Sequence, residues 1–451
     1  MRLPSLYKNV LSIAAPSVAE LILTSLTQLV DTVMVGRLGA YAISAVGLTS
    51  QPKFIMLAVF IALNVGSTAL IARFKGQGDR DAAELVSAQT IMLAVVISVM
   101  LTIPGIIFAR PMVLFMGAQA DTVVAATHYF TILMIGFIPT VLPIAISALL
   151  RGVGDARTSM RYNVTANLVN VVFNYLLIYG KFGFPALGVE GAAIATVLGN
   201  CVACAMAIVA ISGRHSKKGE PSFARFRLSK ASLLPDTVML RRMIRIGLPS
   251  AAEQLALRAG LLIYTITISA LGTKVFAAHQ IVLSILNMSF VNGQAFGIAA
   301  TSLSGQALGR GDPDAAKAAS HVCQRLGAFV STVMGVVMFI FRYNLILLFS
   351  DDPAIIALCA SVMLIVAVIQ PFQSSFQIFA GALRGAGDSL YPAISLAIGI
   401  LLIRPTLSYV FVNLMTLSLF GAWLALIADQ VVRFFLILLR FKSGKWVHIK
   451  V

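Results

Sequence analysis

Gly76-Gln77-Gly78-Asp79-Arg80-Asp81-Ala82-Ala83 returns further along the chain as Gly309-Arg310-Gly311-Asp312-Pro313-Asp314-Ala315-Ala316. The shift, 233 positions, is shared by three other landmarks: Pro16-Ser17-x-Ala19-Glu20 with Pro249-Ser250-x-Ala252-Glu253, Leu38-Gly39 with Leu271-Gly272, and Arg151-Gly152-x-Gly154-Asp155 with Arg384-Gly385-x-Gly387-Asp388. Four landmarks in one register across half of a 451-residue chain mean a duplicated architecture. Between them the chain is strongly apolar. It is 59% hydrophobic and 11% charged, whereas soluble domains run near ~45–50% and ~25%. So little polar surface cannot cover a water-soluble particle, and the chain reads as an integral membrane protein.

Crossing about 30 Å of hydrocarbon takes about 20 helical residues, and twelve stretches qualify: 9–36, 46–72, 86–109, 126–149, 160–180, 189–212, 243–270, 279–303, 319–341, 354–383, 391–414 and 417–440. The expected fold is all-α, with twelve transmembrane helices in two six-helix lobes. Six spans per half is an even number, so both halves enter from one side and the repeat is parallel. Residues 1–212 form the first lobe, 213–240 a polar cytoplasmic linker carrying Lys217-Lys218-Gly219-Glu220-Pro221, and 241–451 the second lobe. Of 34 Lys and Arg, 26 fall on the side of the termini, six on the other (Lys53 among them), and Arg258 and Arg404 within spans. That asymmetry places both termini in the cytoplasm of a cell inner (plasma) membrane protein. The net charge of +17 therefore records topology, with weak attraction to anionic lipid, and does not imply nucleic acid.

Chemistry is sought among ionisable residues inside the spans, because each is costly there: Glu20, Asp31, Glu253, Arg258, Arg404 and Asp429. At 1.5 Å per residue, Asp31, Asn174, Thr196 and Asn170 lie roughly 8, 9, 12 and 15 Å below the outer ends of three helices of the first lobe. Asn163, Asn167, Asn170 and Asn174 recur at steps of 4, 3 and 4, one face of an α-helix. For Asn163 and Asn167 the expected role is packing between helices. For Asp31, Asn170, Asn174 and Thr196 it is cation or proton coupling: protonated, a carboxylate among amides carries H⁺, and ionised it can join amide and hydroxyl oxygens around Na⁺. No firm metal site follows, and no cofactor is expected.

Glu253 is read two ways, as a contact for cargo or coupling, or as an ion-pair partner of Arg258 or Arg404. Its repeat mate Glu20 is expected to be structural. Gln280, Gln294 and Gln373 are further pocket candidates, and Pro16, which lacks a helical hydrogen bond donor, is a candidate hinge. Cys201 and Cys204 form C-x-x-C inside an apolar stretch and read as buried thiols. The Gly-Asp loops lack G-x-x-x-x-G-K-[ST], so no ATPase is expected and a gradient must supply the energy. His128, His215, His279, His321 and His448 show no metal-binding spacing, so no enzyme is expected.

Beyond the repeat, the motifs resemble the multidrug and toxic compound extrusion (MATE) family from Pro16 to about Gln430. They are Leu29-Val30-Asp31-Thr32, Arg37-Leu38-Gly39, Gly76-Gln77-Gly78-Asp79, Leu150-Arg151-Gly152-x-Gly154-Asp155, Gly191-Ala192-Ala193-x-Ala195-Thr196, Ala277-Ala278-His279-Gln280, Gly305-Gln306-Ala307-Leu308-Gly309 and Ala382-Leu383-Arg384-Gly385. The resemblance implies antiport of H⁺ or Na⁺ against amphiphilic, often cationic, organic compounds by alternating access. It also implies a cation or proton site at the matching Asp31, Asn170, Asn174 and Thr196. Where relatives of one branch carry an acid in the tenth helix, this chain has Gln373, which tilts the expectation to H⁺ coupling in the first lobe. A monomer is expected. The nearest alternative is a flippase of lipid-linked saccharides from the same superfamily.

Overall fold

The computed structural model describes residues 3–212, 223–224 and 234–449. Most of the expected linker, including Lys217-Lys218-Gly219-Glu220-Pro221, lies outside the described residues. Among those described there is no strand. The first half runs α1 (Leu3–Gly36), α2 (Ala40–Gln77), α3 (Arg80–Ile107), the short α4 (Ala109–Phe115), α5 (Val123–Ile135), α6 (Phe137–Gly152), α7 (Ala156–Tyr179) and α8 (Gly188–Ile211). The second half repeats that order as α9 (Thr237–Ser269), α10 (Thr273–Gly309), α11 (Pro313–Ile340), the short α12 (Arg342–Leu347), α13 (Pro353–Gly385), a helix over Leu390–Leu414, and α16 (Ser418–Lys442). The helix over Leu390–Leu414 is itself built of α14 (Leu390–Ala397), a π-helical stretch Ile398–Ile403, α15 (Arg404–Tyr409) and a second π-helical stretch Val410–Leu414.

Nine helices among the described residues are long and apolar enough to cross a membrane, ten when α5 and α6, bent by 53°, count as one span. The other two of the twelve are α7 and α9, and their shortfall has a cause. α7 carries four asparagines, and α9 carries Arg241, Arg242, Arg245, Glu253 and Arg258. These are the spans in which apolar composition has given way to polar side chains.

The repeated glycine-aspartate motifs are helix stops and starts. Gly78 ends α2 in the left-handed region (φ 77°), and Asp79 caps α3 by accepting from the Ala82 N–H at 3.0 Å. Gly311 (φ 74°) and Asp312, which accepts from the Ala315 N–H at 2.9 Å, do the same before α11. Only glycine takes that backbone conformation without strain, and a carboxylate satisfies amide groups left open in a first turn. The repeated glycine-aspartate motifs thus have a sufficient structural account.

The chain divides into two compact units, Ala19–Gly247, and Met1–Val18 with Leu248–Val451. The divisions fall two residues after Pro16 and one residue before Pro249. α1 runs helically through Pro16, and α9 through Pro249. Within the first unit α7 packs along α8, and α2 against α3 and α6; within the other, α13 packs against α10, α11 and α16.

Candidate functional site

α8 presents Gly191, Ala195 and Gly199, small residues every fourth position, to α7. A Cβ added at Gly199 would lie 2.7 Å from the Ala166 carbonyl oxygen and 3.2 Å from the Asn170 Cβ. The two backbones are therefore as close as glycine allows, which carries Thr196 to Asn170. The Asn170 amide donates to Thr196 Oγ1 at 3.2 Å, and Thr196 Oγ1 donates to the Ala192 carbonyl one turn earlier at 2.9 Å.

The asparagine face of α7 meets α1 as a ladder. Asn163 Nδ2 donates to Glu20 Oε1 at 2.7 Å, Asn167 Nδ2 to Thr24 Oγ1 at 3.1 Å, and Asn174 Nδ2 to Asp31 Oδ1 at 2.7 Å. Each rung joins residues 143 positions apart, so the two helices run parallel and in step. Asn170 forms no rung to α1; its Oδ1 instead accepts from Asn174 Nδ2 at 3.2 Å. The four residues expected to couple ions thus form one chain, Asp31 to Asn174 to Asn170 to Thr196. Asn174 is fully buried, Asn170 nearly so, and Asp31 and Thr196 are half-buried.

One atom in this chain is unsatisfied: Asn174 Oδ1 is buried with no hydrogen-bond donor. Sequence reasoning also missed two neighbours. Lys53, counted there among the outer connections, lies inside the candidate span of α2, and it and the buried Tyr129 of α5 are within electrostatic reach of Asp31. A lysine so deep in a span is itself a functional signal, and its place inside the second span, 46–72, was already enough to count it among the intramembrane charges. Thr140 and Asn200, joined at 2.8 Å, add a further polar contact between α6 and α8.

The other candidates are dispersed. Glu253 pairs with neither Arg258 nor Arg404. Its partner is Arg384 at 2.5 Å, and Arg404 is taken by Asp429. The repeat accounts for this pairing, because Glu20 and Arg151, the mates of Glu253 and Arg384, form the same ion pair in the other half. Glu20 also accepts from Ser159 at 3.3 Å, whereas Glu253 Oε2 has no donor. Gln280 and Gln294 are exposed on α10. Gln373 is buried, in a recess of the second half lined by Ser289, Gln370, Ser374 and Gln377. Cys201 is exposed and Cys204 half-buried, and both are free thiols. Among the described residues no three His, Cys, Asp or Glu side chains converge as metal ligands.

The family model described as MatE matches residues 16–176 and 249–410, one match in each half of the repeat. A probable multidrug resistance protein NorM of Thermotoga maritima is 30% identical over 443 residues, 98% of this chain and 94% of that protein. An uncharacterized transporter, YisQ, of Bacillus subtilis is 27% identical over 93% of this chain and 90% of its own. A solved outward-facing structure of a multidrug resistance MATE family transporter superposes with a TM-score of 0.90 at 22% identity, covering 98% of this chain and 97% of that one.

Proposed function

The chain belongs to the MatE family of multidrug efflux transporters, and from that premise we propose that it exports amphiphilic, often cationic, organic compounds in exchange for H⁺ bound at Asp31. The observation that carries the proposal is the unsatisfied Asn174 Oδ1 beside Asp31. A protonated Asp31 carries an O–H, the donor that this buried oxygen lacks, so the cluster can hold the proton without leaving a polar atom unpaired. Na⁺ fits less well. The nearest amide presents an N–H to Asp31, and a hard cation wants converging oxygens, with more than one carboxylate in the better sites. Asn170 and Thr196 hold Asn174 in place.

Pro16 is read as the point about which α1 bends, because the division between compact units falls two residues beyond it. Gln280 and Gln294 offer exposed amides to cargo, and Gln373 a buried one. Glu253, neutralised by Arg384, is read as a brace. The chain works as a monomer in the inner membrane with its termini in the cytoplasm. The relatives' names speak of multidrug resistance, which favours efflux over the flipping of lipid-linked saccharides.

The test is export of a fluorescent cation from vesicles under an imposed pH gradient. Wild type is expected to export, and Asp31→Asn to lose at least tenfold in initial rate while still inserting. Full proton-driven export by Asp31→Asn would overturn the coupling role. Export driven by a sodium gradient at equal pH would replace H⁺ with Na⁺.

A further inference from the structure

The second half keeps a buried polar cluster at the place that the repeat assigns to the Asp31 cluster, with the charge reversed. Moved by the repeat shift, Thr196 becomes Asp429 and Asn200 becomes Arg433, while Arg404 stands one position past the mate of Asn170. Asp429 accepts from Arg404 Nε at 2.9 Å and from Arg404 Nη2 at 2.5 Å. It also accepts from Arg433 Nη2 at 2.9 Å, and its other oxygen lies 2.7 Å from Arg433 Nε. Asp429 is 0% exposed, Arg404 and Arg433 4% each.

Arginine keeps its proton in proteins, so one carboxylate faces two fixed cations and the cluster retains one positive charge in surplus. The neighbouring buried acids do not cancel it, since Glu253 is engaged by Arg384 and Asp388 by Arg440 at 2.8 Å. Buried charges are ordinarily paired.

Two further observations point to a ligand. The Arg404 guanidinium lies 5.2 Å from the ring of Tyr264, which is 5.5 Å from His279, itself 5.7 Å from Trp423. Within this group Trp423 Nε1 and His279 Nδ1 are buried without partners, and an indole N–H can only donate. In addition, π-helical stretches flank Arg404 on both sides, a distortion that recurs at functional sites.

We propose that this cluster binds the carboxylate of an amphiphilic organic compound. Asp429 already holds the Nε and Nη2 atoms of both guanidiniums, so an incoming carboxylate would meet their remaining N–H groups. A surplus of one charge suits a monoanion better than a diphosphate, and the rings of Tyr264 and Trp423 suit an apolar body. The cargo class then includes acids and zwitterions as well as cations. The inference goes beyond the proposed function and does not depend on which ion drives export.

The test uses the purified full-length protein in detergent and follows quenching of tryptophan fluorescence by 1-pyrenebutyrate and, separately, by its methyl ester. The ester enters micelles at least as readily, so a difference reports the carboxylate. Wild type is expected to bind the acid at least tenfold more tightly than the ester. Arg433→Gln leaves Asp429 paired one to one with Arg404 and should bring that ratio close to one. Asp429→Asn enlarges the surplus and should keep or raise it. Equal binding of acid and ester by wild type overturns the proposal even if neither variant folds, as does an undiminished ratio in Arg433→Gln. Displacement of the acid by an equal concentration of chloride would assign the site to inorganic anions and overturn the carboxylate reading.

Discussion

At the residue scale, the first half rests on one carboxylate and the amide facing it. Asn174 reaches Asp31 with its N–H and leaves its own oxygen unmatched, the arrangement on which the proposed proton coupling rests. Adding a carboxylate there should change the ion. Asn174→Asp would put two carboxylates within reach of Asn170 and Thr196, a set of oxygens suited to a hard cation. The expected outcome is export of a fluorescent cation driven by a sodium gradient at equal pH, which wild type should not show; no such export by the variant would mean that Asn174 does not choose the ion. The four-residue cluster was legible in the sequence, since helical spacing puts the asparagines on one face and chain length puts Asp31 and Thr196 at a matching depth. Lys53 was legible too, since it lies inside the second span, 46–72, yet it was counted with the outer connections; what the sequence did not show is that it stands near Asp31.

At the element scale, the α7–α8 contact sets the geometry of the site. Gly199 lets the helices approach until Thr196 meets Asn170, so its hydrogen atom does structural work that no side chain could. Gly199→Leu should force the pair apart at a cost of ~1–3 kcal/mol and weaken proton-coupled export by breaking the chain of hydrogen bonds. Gly47→Ala, where nothing lies within 4 Å of the new Cβ, should be neutral or gain up to ~1 kcal/mol from helix propensity. Thermal unfolding of both variants in the same detergent decides it, and equal melting temperatures would argue against close packing at Gly199. α1 is held differently. Its Leu26, Leu29 and Val33 are 49%, 60% and 52% exposed, and it meets α7 largely through polar rungs.

Across the whole molecule, the repeat conserves the brace and diverges at the site. The Glu20–Arg151 and Glu253–Arg384 pairs occupy equivalent positions, each tying the first helix of its half to the last turn of the fourth span. They differ in support, because Glu20 also accepts from Asn163 and Ser159 while Glu253 has an oxygen without a donor. Glu20→Gln should therefore destabilise more than Glu253→Gln, by ~1–3 kcal/mol against a smaller loss. Melting temperatures of the two variants test this, and the reverse order would show that the additional bonds to Glu20 contribute nothing. The sequence by itself determined the membrane class, the twelve spans, the duplication and the polar face of α7. These follow from composition, from a helical period written in neighbouring residues, and from a shift that can be counted along the chain. Only the tertiary structure decided that Glu253 belongs to Arg384, that Asp429 gathers Arg404 and Arg433, and that Lys53 stands near Asp31. A buried charge is neutralised by whichever helix the packing brings alongside it, and the chain order carries no local record of that neighbour.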